Sequence, residues 1–138
     1  MAPGKAVAAG FMASMVLAGC MLGQTLAQVW PDLDWIELIQ RLTGEPRALG
    51  WLGHFVIGSL IWGLGFAALY RLLPGHNGLL KGLAFGVLAW VGMMLLFFPV
   101  AGGGFFGVAI GWPATLATFG AHLLYGGVLG MCYGAPDR

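Results

Sequence analysis

Four long apolar stretches, separated by shorter polar or glycine-rich ones, dominate the pattern of hydrophobic positions along the chain. A run of about 20 apolar residues is long enough to cross the hydrocarbon core of a bilayer as a helix. We therefore predict an all-α membrane protein that forms a single integral membrane domain over residues 1–138. The expected transmembrane helices cover about residues 5–29, 48–73, 79–99 and 113–134.

The first apolar stretch allows one other interpretation. Lys5 followed by an apolar run resembles a secretory signal. Leu17–Cys20 resembles a bacterial lipobox, in which Cys20 would be lipidated. Apolar character continues past Cys20 as far as Leu26, and this favours an uncleaved first span.

Residues 31–43 differ from the apolar stretches on either side. Apolar side chains recur there at roughly helical spacing with charged ones between them, and Gly44 and Pro46 end the pattern. We predict a short amphipathic helix that begins at Pro31 and lies in the membrane interface, with tryptophans as aromatic anchors. Its acidic residues form a solvated polar face in the simplest interpretation, and a surface for a partner or a cation in the alternative.

The composition excludes an ordinary soluble domain. Hydrophobic residues make up 59% of the chain and charged residues 8%, whereas soluble domains carry about 25% charged residues. The formal net charge is +1 with no basic run, so nucleic-acid binding, which needs a concentrated positive field, is not expected. Cys20 and Cys132 would lie near opposite ends of the bundle, too far apart for a disulfide.

The basic residues predict the orientation of the chain. With four spans, four of the six basic residues fall on one side of the membrane, while Arg41 and Arg47 fall on the other among acidic residues. The four are Lys5, Arg71, Lys81 and Arg138. Because cytoplasmic loops are enriched in lysine and arginine, we predict a protein of the bacterial cytoplasmic (inner) membrane with both termini in the cytoplasm.

The chain also contains a weak internal repeat. Lys5–Ala13 and Lys81–Ala89 share lysine, alanine and glycine at matched positions, at an offset of 76 residues. His54 and His122, each followed by glycine four residues later, match at an offset of 68 residues. The repeat predicts two helical hairpins of the same orientation, related by a pseudo-twofold axis along the membrane normal.

Two glycine ladders with four-residue spacing lie in the third and fourth predicted spans. The glycines are Gly78, Gly82, Gly86, Gly126, Gly130 and Gly134. Small residues at this spacing let two helix backbones approach closely. We predict that the third and fourth spans pack along these ladders within one chain, and a homodimer seam is the alternative.

Three segments carry a resemblance to a known family. Trp90–Met94, Phe98–Gly107 and His122–Gly126 resemble a bacterial family of small four-helix integral membrane proteins of unknown function. The resemblance covers nearly the whole chain and implies the four-helix architecture. It implies no activity and no catalytic residue, because the family has none assigned.

His54 and His122 are the candidate site residues. Each lies in an apolar, glycine-rich part of a predicted span, at a similar depth. Ionisable residues inside a membrane are costly and face the bundle interior or a cavity. In the simpler interpretation, each histidine hydrogen-bonds a polar side chain or a backbone carbonyl across helices. The residues considered as partners are Gln24, Thr25, Ser59, Thr115 and Thr118.

Cofactor binding is the alternative interpretation of the two histidines. Their imidazoles would be the axial ligands of a b-type haem held between the helices. Two histidines are too few for a closed zinc site, which requires four ligands. In the simpler interpretation we expect neither a metal nor a cofactor.

The predicted spans contain no carboxylate, and no nucleophile lies beside a base. We therefore expect no enzymatic activity. The favoured function is an accessory or structural subunit that packs in the lipid bilayer with itself or with a larger membrane complex. The alternatives are a haem b protein of membrane electron transfer and a small homodimeric transporter or channel.

Overall fold

The computed structural model of the chain describes residues 2–29, 33–44 and 46–134. These residues form helices and turns, and they contain no strand. Five helices follow one another along the chain: α1 (Pro3–Leu26), α2 (Trp35–Thr43), α3 (Arg47–Leu69), α4 (Gly78–Val100) and α5 (Trp112–Gly134). By length and composition, α1, α3, α4 and α5 could each cross a membrane.

The short helix α2 begins later than the sequence indicates. Asp34 caps it, because its side chain accepts a hydrogen bond of 2.9 Å from the Glu37 backbone N–H. The first helical residue is therefore Trp35, and Leu33 is not helical. Pro31, where we predicted the helix to start, lies outside the described residues.

The helix α2 lies across the end of the bundle that also carries the loop of residues 101–111, which we call the cap end. Its buried residues Ile36, Leu38 and Ile39 face the long helices. Arg41 connects α2 to the loop, because its Nη1 donates a hydrogen bond of 3.2 Å to the Ala101 carbonyl. The opposite end carries the turn between α3 and α4, and we call it the turn end.

Glycines bring α4 and α5 into backbone contact. A Cβ built on Gly130 would lie 2.8 Å from the Gly82 Cα, and one built on Gly126 would lie 3.0 Å from the Gly86 Cα. All six glycines of the two ladders lie at this contact. Any side chain larger than hydrogen at these positions would therefore force the two helices apart.

The pair α1 and α3 is packed in a similar way. A Cβ built on Gly10 would lie 2.7 Å from the Gly58 carbonyl oxygen, and one built on Gly63 would lie 2.7 Å from the Ala6 carbonyl oxygen. The chain thus contains two helix pairs, each in contact through small residues. In the second pair, the residue that faces Gly86 is His122.

Two of the long helices contain a π-helical turn, which the sequence pattern does not reveal. These turns cover Ile57–Trp62 in α3 and Met93–Phe97 in α4. A π-helical turn accommodates an extra residue in a helix and is frequent at functional sites. Both turns lie beside the cavity described below.

Aromatic rings close the half of the bundle nearer the turn end. The buried rings of Phe66 and Phe85 join α3 to α4 with their centroids 5.3 Å apart, and Trp62 packs against Phe85 from the cavity side. Tyr133 of α5 packs against Phe66. These side chains fill the space between the helices near the turn end. The cavity described below lies in the other half of the bundle, nearer the cap end.

Candidate functional site

His54 connects α3 to α1. It is buried, and its Nε2 lies 3.1 Å from the Ser14 carbonyl oxygen. The rings of Trp51 and Phe55 contact it edge-on, with centroid distances of 6.0 and 5.1 Å. The partner is a backbone carbonyl across helices, of the kind expected for an intramembrane histidine, but Ser14 is not among the residues that we considered from the sequence.

His122 is held differently, by its own helix. Its Nδ1 lies 2.8 Å from the Thr118 carbonyl oxygen, one turn earlier in α5. The expectation that both histidines bond across helices therefore holds only for His54. Because Nδ1 is used within α5, Nε2 is the ring nitrogen left for another group.

Both histidines line one cavity of about 260 Å³ between the four long helices and α2. Most of the wall is apolar, and it includes Trp35 of α2, whose indole N–H donates a hydrogen bond of 2.7 Å to Gln24 Oε1. The sequence does not show whether the two histidines face a common space. The structure brings them to the same cavity.

Two hydroxyl groups complete the polar part of the wall. Tyr125 donates a buried hydrogen bond of 2.6 Å from its hydroxyl to the Gly58 carbonyl. The Ser14 hydroxyl is buried and has no hydrogen-bond partner among the described residues. It lies against Gly58, because a Cβ built on that glycine would overlap Ser14 Oγ. The Ser59 hydroxyl is also buried without a partner in the described part of the chain, but it does not line the cavity.

Ser14 is not singled out in the sequence analysis. Its position inside an otherwise apolar span was the available signal, because a polar group in hydrocarbon is costly unless it is bonded. To predict that Ser14 contacts Gly58 and His54, one must know how α1 and α3 are rotated about their axes relative to each other. That rotation is not encoded in helices that are apolar on nearly every face.

A haem between the two histidines fits this geometry poorly. The hydrogen bonds leave one ring nitrogen of each histidine for a ligand, Nδ1 of His54 and Nε2 of His122, so the obstacle to a haem is the space between them. The cavity of about 260 Å³ is below the 300–1,000 Å³ that is usual for drug-sized ligands. Bis-histidine ligation of a haem would therefore require the helices around the cavity to separate.

Metal-ligating side chains do not cluster in the part of the chain that the structure describes. Within residues 2–29, 33–44 and 46–134, no group of three or more histidine, cysteine, aspartate or glutamate side chains could hold a metal ion. Cys20 and Cys132 are both free.

The sequence profile of a family of unknown function (DUF6789) matches residues 2–137. The chain belongs to this family. The match spans nearly the whole sequence and confirms the resemblance to a family of unknown function, and the structure is small and helical with four apolar helices. No curated protein and no solved structure matches the chain.

Proposed function

We propose that the protein is a multi-pass protein of the bacterial cytoplasmic membrane and acts as a non-enzymatic accessory or structural subunit, packed with itself or with a larger membrane complex. The observation that carries the membrane assignment is the surface of the four long helices. In the most apolar window of each helix, only 28–39% of the residues are buried inside the bundle. The remaining apolar surface requires lipid or another apolar partner, because water would make its exposure unfavourable.

The proposed orientation places the termini and the turn end in the cytoplasm. Lys81 supports this, because its ammonium group donates to the Tyr70 carbonyl at 2.7 Å and lies 4.6 Å from the centre of the Tyr70 ring, at the turn end. Arg41 and Arg47 at the cap end are paired with Glu37 and Asp34. More of the described basic residues lie at the turn end (Lys5, Arg71 and Lys81) than at the cap end (Arg41 and Arg47), and this excess supports a cytoplasmic turn end under the positive-inside rule.

In this proposal α2 is the interfacial amphipathic helix. Its buried face packs on α3, where a Cβ built on Gly50 would lie 2.8 Å from the Ile36 carbonyl oxygen. The exposed side chains of Glu37 and Arg41 form an ion pair of 2.9 Å on the other face. A helix with these two faces is suited to the boundary between headgroups and hydrocarbon.

The proposed repeat of two hairpins is supported by the similar contacts of the two helix pairs. Gly10 and Gly86, which match at the offset of 76 residues, each lie against the backbone of the following span. The facing residues are Gly58 and His122, whereas the histidine-based alignment pairs His54 with His122. The second helices of the two pairs are thus shifted by about one turn relative to that alignment.

The accessory role is supported by the loop of residues 101–111. This loop carries no charged residue, and Phe105 and Val108 are exposed in it. Exposed apolar side chains grouped on a surface are typical of a protein or membrane contact. We therefore place the partner contact of the proposed subunit at the cap end.

The test is purification of tagged protein from native membranes in a mild detergent, with matched charge substitutions at the two ends. Val108 at the cap end is 77% exposed, and Leu72 at the turn end is 80% exposed. We expect a stoichiometric partner or a homo-oligomer that Val108→Asp removes and Leu72→Asp retains. A monomer without a partner, or a partner that survives Val108→Asp, would contradict the accessory role.

The two other functions that the sequence allows remain predictions with their own measurements. A haem b protein requires a Soret band with sharpened bands on reduction, lost in His54→Ala or His122→Ala. A homodimeric transporter or channel requires a flux in proteoliposomes that the same substitutions change.

A further inference from the structure

We propose that the cavity lined by His54 and His122 is a binding site for a small lipophilic ring compound with a phenolic or quinol hydroxyl group. The proposal relies on the membrane embedding proposed above, because the ligand is to arrive from the lipid. It does not depend on the accessory role or on the partner.

The hydrogen-bonding of His122 determines the chemistry of the ligand. The Thr118 carbonyl oxygen can only accept, so the Nδ1 that lies 2.8 Å from it carries the proton in the neutral imidazole. Nε2 of that tautomer is then an acceptor. A ligand must therefore offer a donor, such as a phenolic hydroxyl, to the His122 ring that lines the cavity.

The Ser14 hydroxyl supplies the complementary group. It is 1% exposed, lines the same cavity and has no partner among the described residues. A buried polar group without a partner costs about 1–3 kcal/mol. A hydroxyl can donate to an oxygen of the ligand, so a ligand oxygen in this cavity would supply the partner that Ser14 lacks among the described residues.

The size and the apolar wall determine the body of the ligand. A cavity of about 150 Å³ lined by apolar side chains holds benzene, and the present cavity has about 260 Å³. It therefore has room for a substituted or fused ring. The surrounding wall includes Trp35, Trp62 and Phe97, which suit an aromatic ligand.

Leu96 lies between the cavity and the lipid-facing surface. This residue lines the cavity and is 71% exposed. It lies four residues before Val100, the last residue of α4, which corresponds to about 6 Å along the helix axis. The proposal therefore has the ligand enter from the hydrocarbon beside Leu96, without a passage through water.

Gly92 and Gly120 offer a matched pair of substitutions for the test. Gly92 lines the cavity, Gly120 does not, and a Cβ built on either would meet no heavy atom within 4 Å. Gly92→Leu should fill the cavity without a backbone clash. Gly120→Leu makes the same helical substitution on an exposed face of α5 and leaves the cavity unchanged.

The experiment measures binding of β-naphthol and of its methyl ether to the protein in nanodiscs by equilibrium dialysis, with empty nanodiscs subtracted. We expect saturable binding of one β-naphthol per chain and about tenfold weaker binding of the ether, which lacks the donor. His122→Phe should weaken β-naphthol binding to about the level of the ether. Gly92→Leu should abolish binding, and Gly120→Leu should not change it.

Three results would overturn the proposal: no saturable binding above empty nanodiscs, equal binding of β-naphthol and its ether, or wild-type binding by Gly92→Leu. Equal binding of the two compounds, or wild-type binding by Gly92→Leu, would show that β-naphthol binds in the bilayer or at another surface of the protein. Membrane embedding is measured separately by cysteine labelling, described at the end of the Discussion. A protein that is embedded as proposed but binds no β-naphthol therefore refutes the site alone.

Discussion

Substitution of Gly82 by alanine tests whether the backbone contact between α4 and α5 holds the bundle together. A Cβ built on Gly82 would lie 2.8 Å from the Gly130 Cα and would also overlap the Gly126 carbonyl. Both neighbours are backbone atoms, so no side-chain rotation can relieve the overlap. The two helices would have to separate along the whole contact.

The expected loss of stability follows from two opposing terms. Overpacking of a close contact costs about 1–3 kcal/mol. Alanine in place of glycine recovers about 1 kcal/mol of helix propensity. Packing is a main source of helix association in a membrane, where the hydrophobic effect does not act between helices. The difference between the two terms predicts that Gly82→Ala lowers the free energy of unfolding by up to about 2 kcal/mol.

Gly120→Ala is the matched control, because a Cβ there would meet nothing within 4 Å. It keeps the gain in helix propensity without the overlap, and it should raise stability by up to about 1 kcal/mol. The assay is unfolding by sodium dodecyl sulfate in a mild detergent, followed by tryptophan fluorescence. Equal midpoints for the two variants would refute the argument that the glycine ladders are an intramolecular contact.

Three further substitutions have expected outcomes. Tyr125→Phe removes the buried hydrogen bond to Gly58 and should lower stability in the same unfolding assay by about 0.5–1.5 kcal/mol; an unchanged midpoint would contradict this. Ser14→Ala removes a buried hydroxyl that has no partner within residues 2–29, 33–44 and 46–134, so it should leave the unfolding midpoint of the ligand-free protein unchanged or raise it. A clear decrease of the midpoint would show that the hydroxyl is bonded. Arg41→Met removes the hydrogen bond to Ala101 and should speed amide hydrogen exchange in residues 101–111, measured by mass spectrometry, while exchange in α5 stays as in the parent protein.

The sequence predicts the four apolar helices because the length and composition of each run are sufficient evidence for a spanning helix. It also predicts the glycines that lie at the contact of α4 and α5, since four-residue spacing places small residues on one helix face. These predictions use information that is local to one helix. They do not depend on how the helices are rotated against one another.

The candidate site required information that is not local. A helix surrounded by lipid is apolar on its outer face and on its packed face, so the pattern does not reveal which face is buried. The partners of His54 and His122 depend on that rotation, and Ser14 was missed for this reason. The π-helical turn at Ile57–Trp62 adds a residue to α3 after His54. It therefore changes which side chains of α3 after that point lie on the same face as His54.

The first residue of α2 could not be predicted from the sequence for a different reason. Pro31 and Asp34 are both suitable for a helix N-terminus, proline in the first turn and aspartate as the cap. The structure uses Asp34, which accepts from the Glu37 N–H and also pairs with Arg47 at 2.8 Å. The ion pair joins residues 13 positions apart, so the choice between the two candidates depended on how the chain folds back.

The most direct test of the four-span account is cysteine labelling from the two sides of the membrane. In a background without Cys20 and Cys132, single cysteines replace His76 in the turn between α3 and α4 and Val108 in the loop between α4 and α5. A membrane-impermeant maleimide should label Val108→Cys in intact spheroplasts, and His76→Cys only in inverted vesicles. Labelling of both positions from the same side would contradict the spanning of α4, and exchange of the two sides would contradict the proposed orientation.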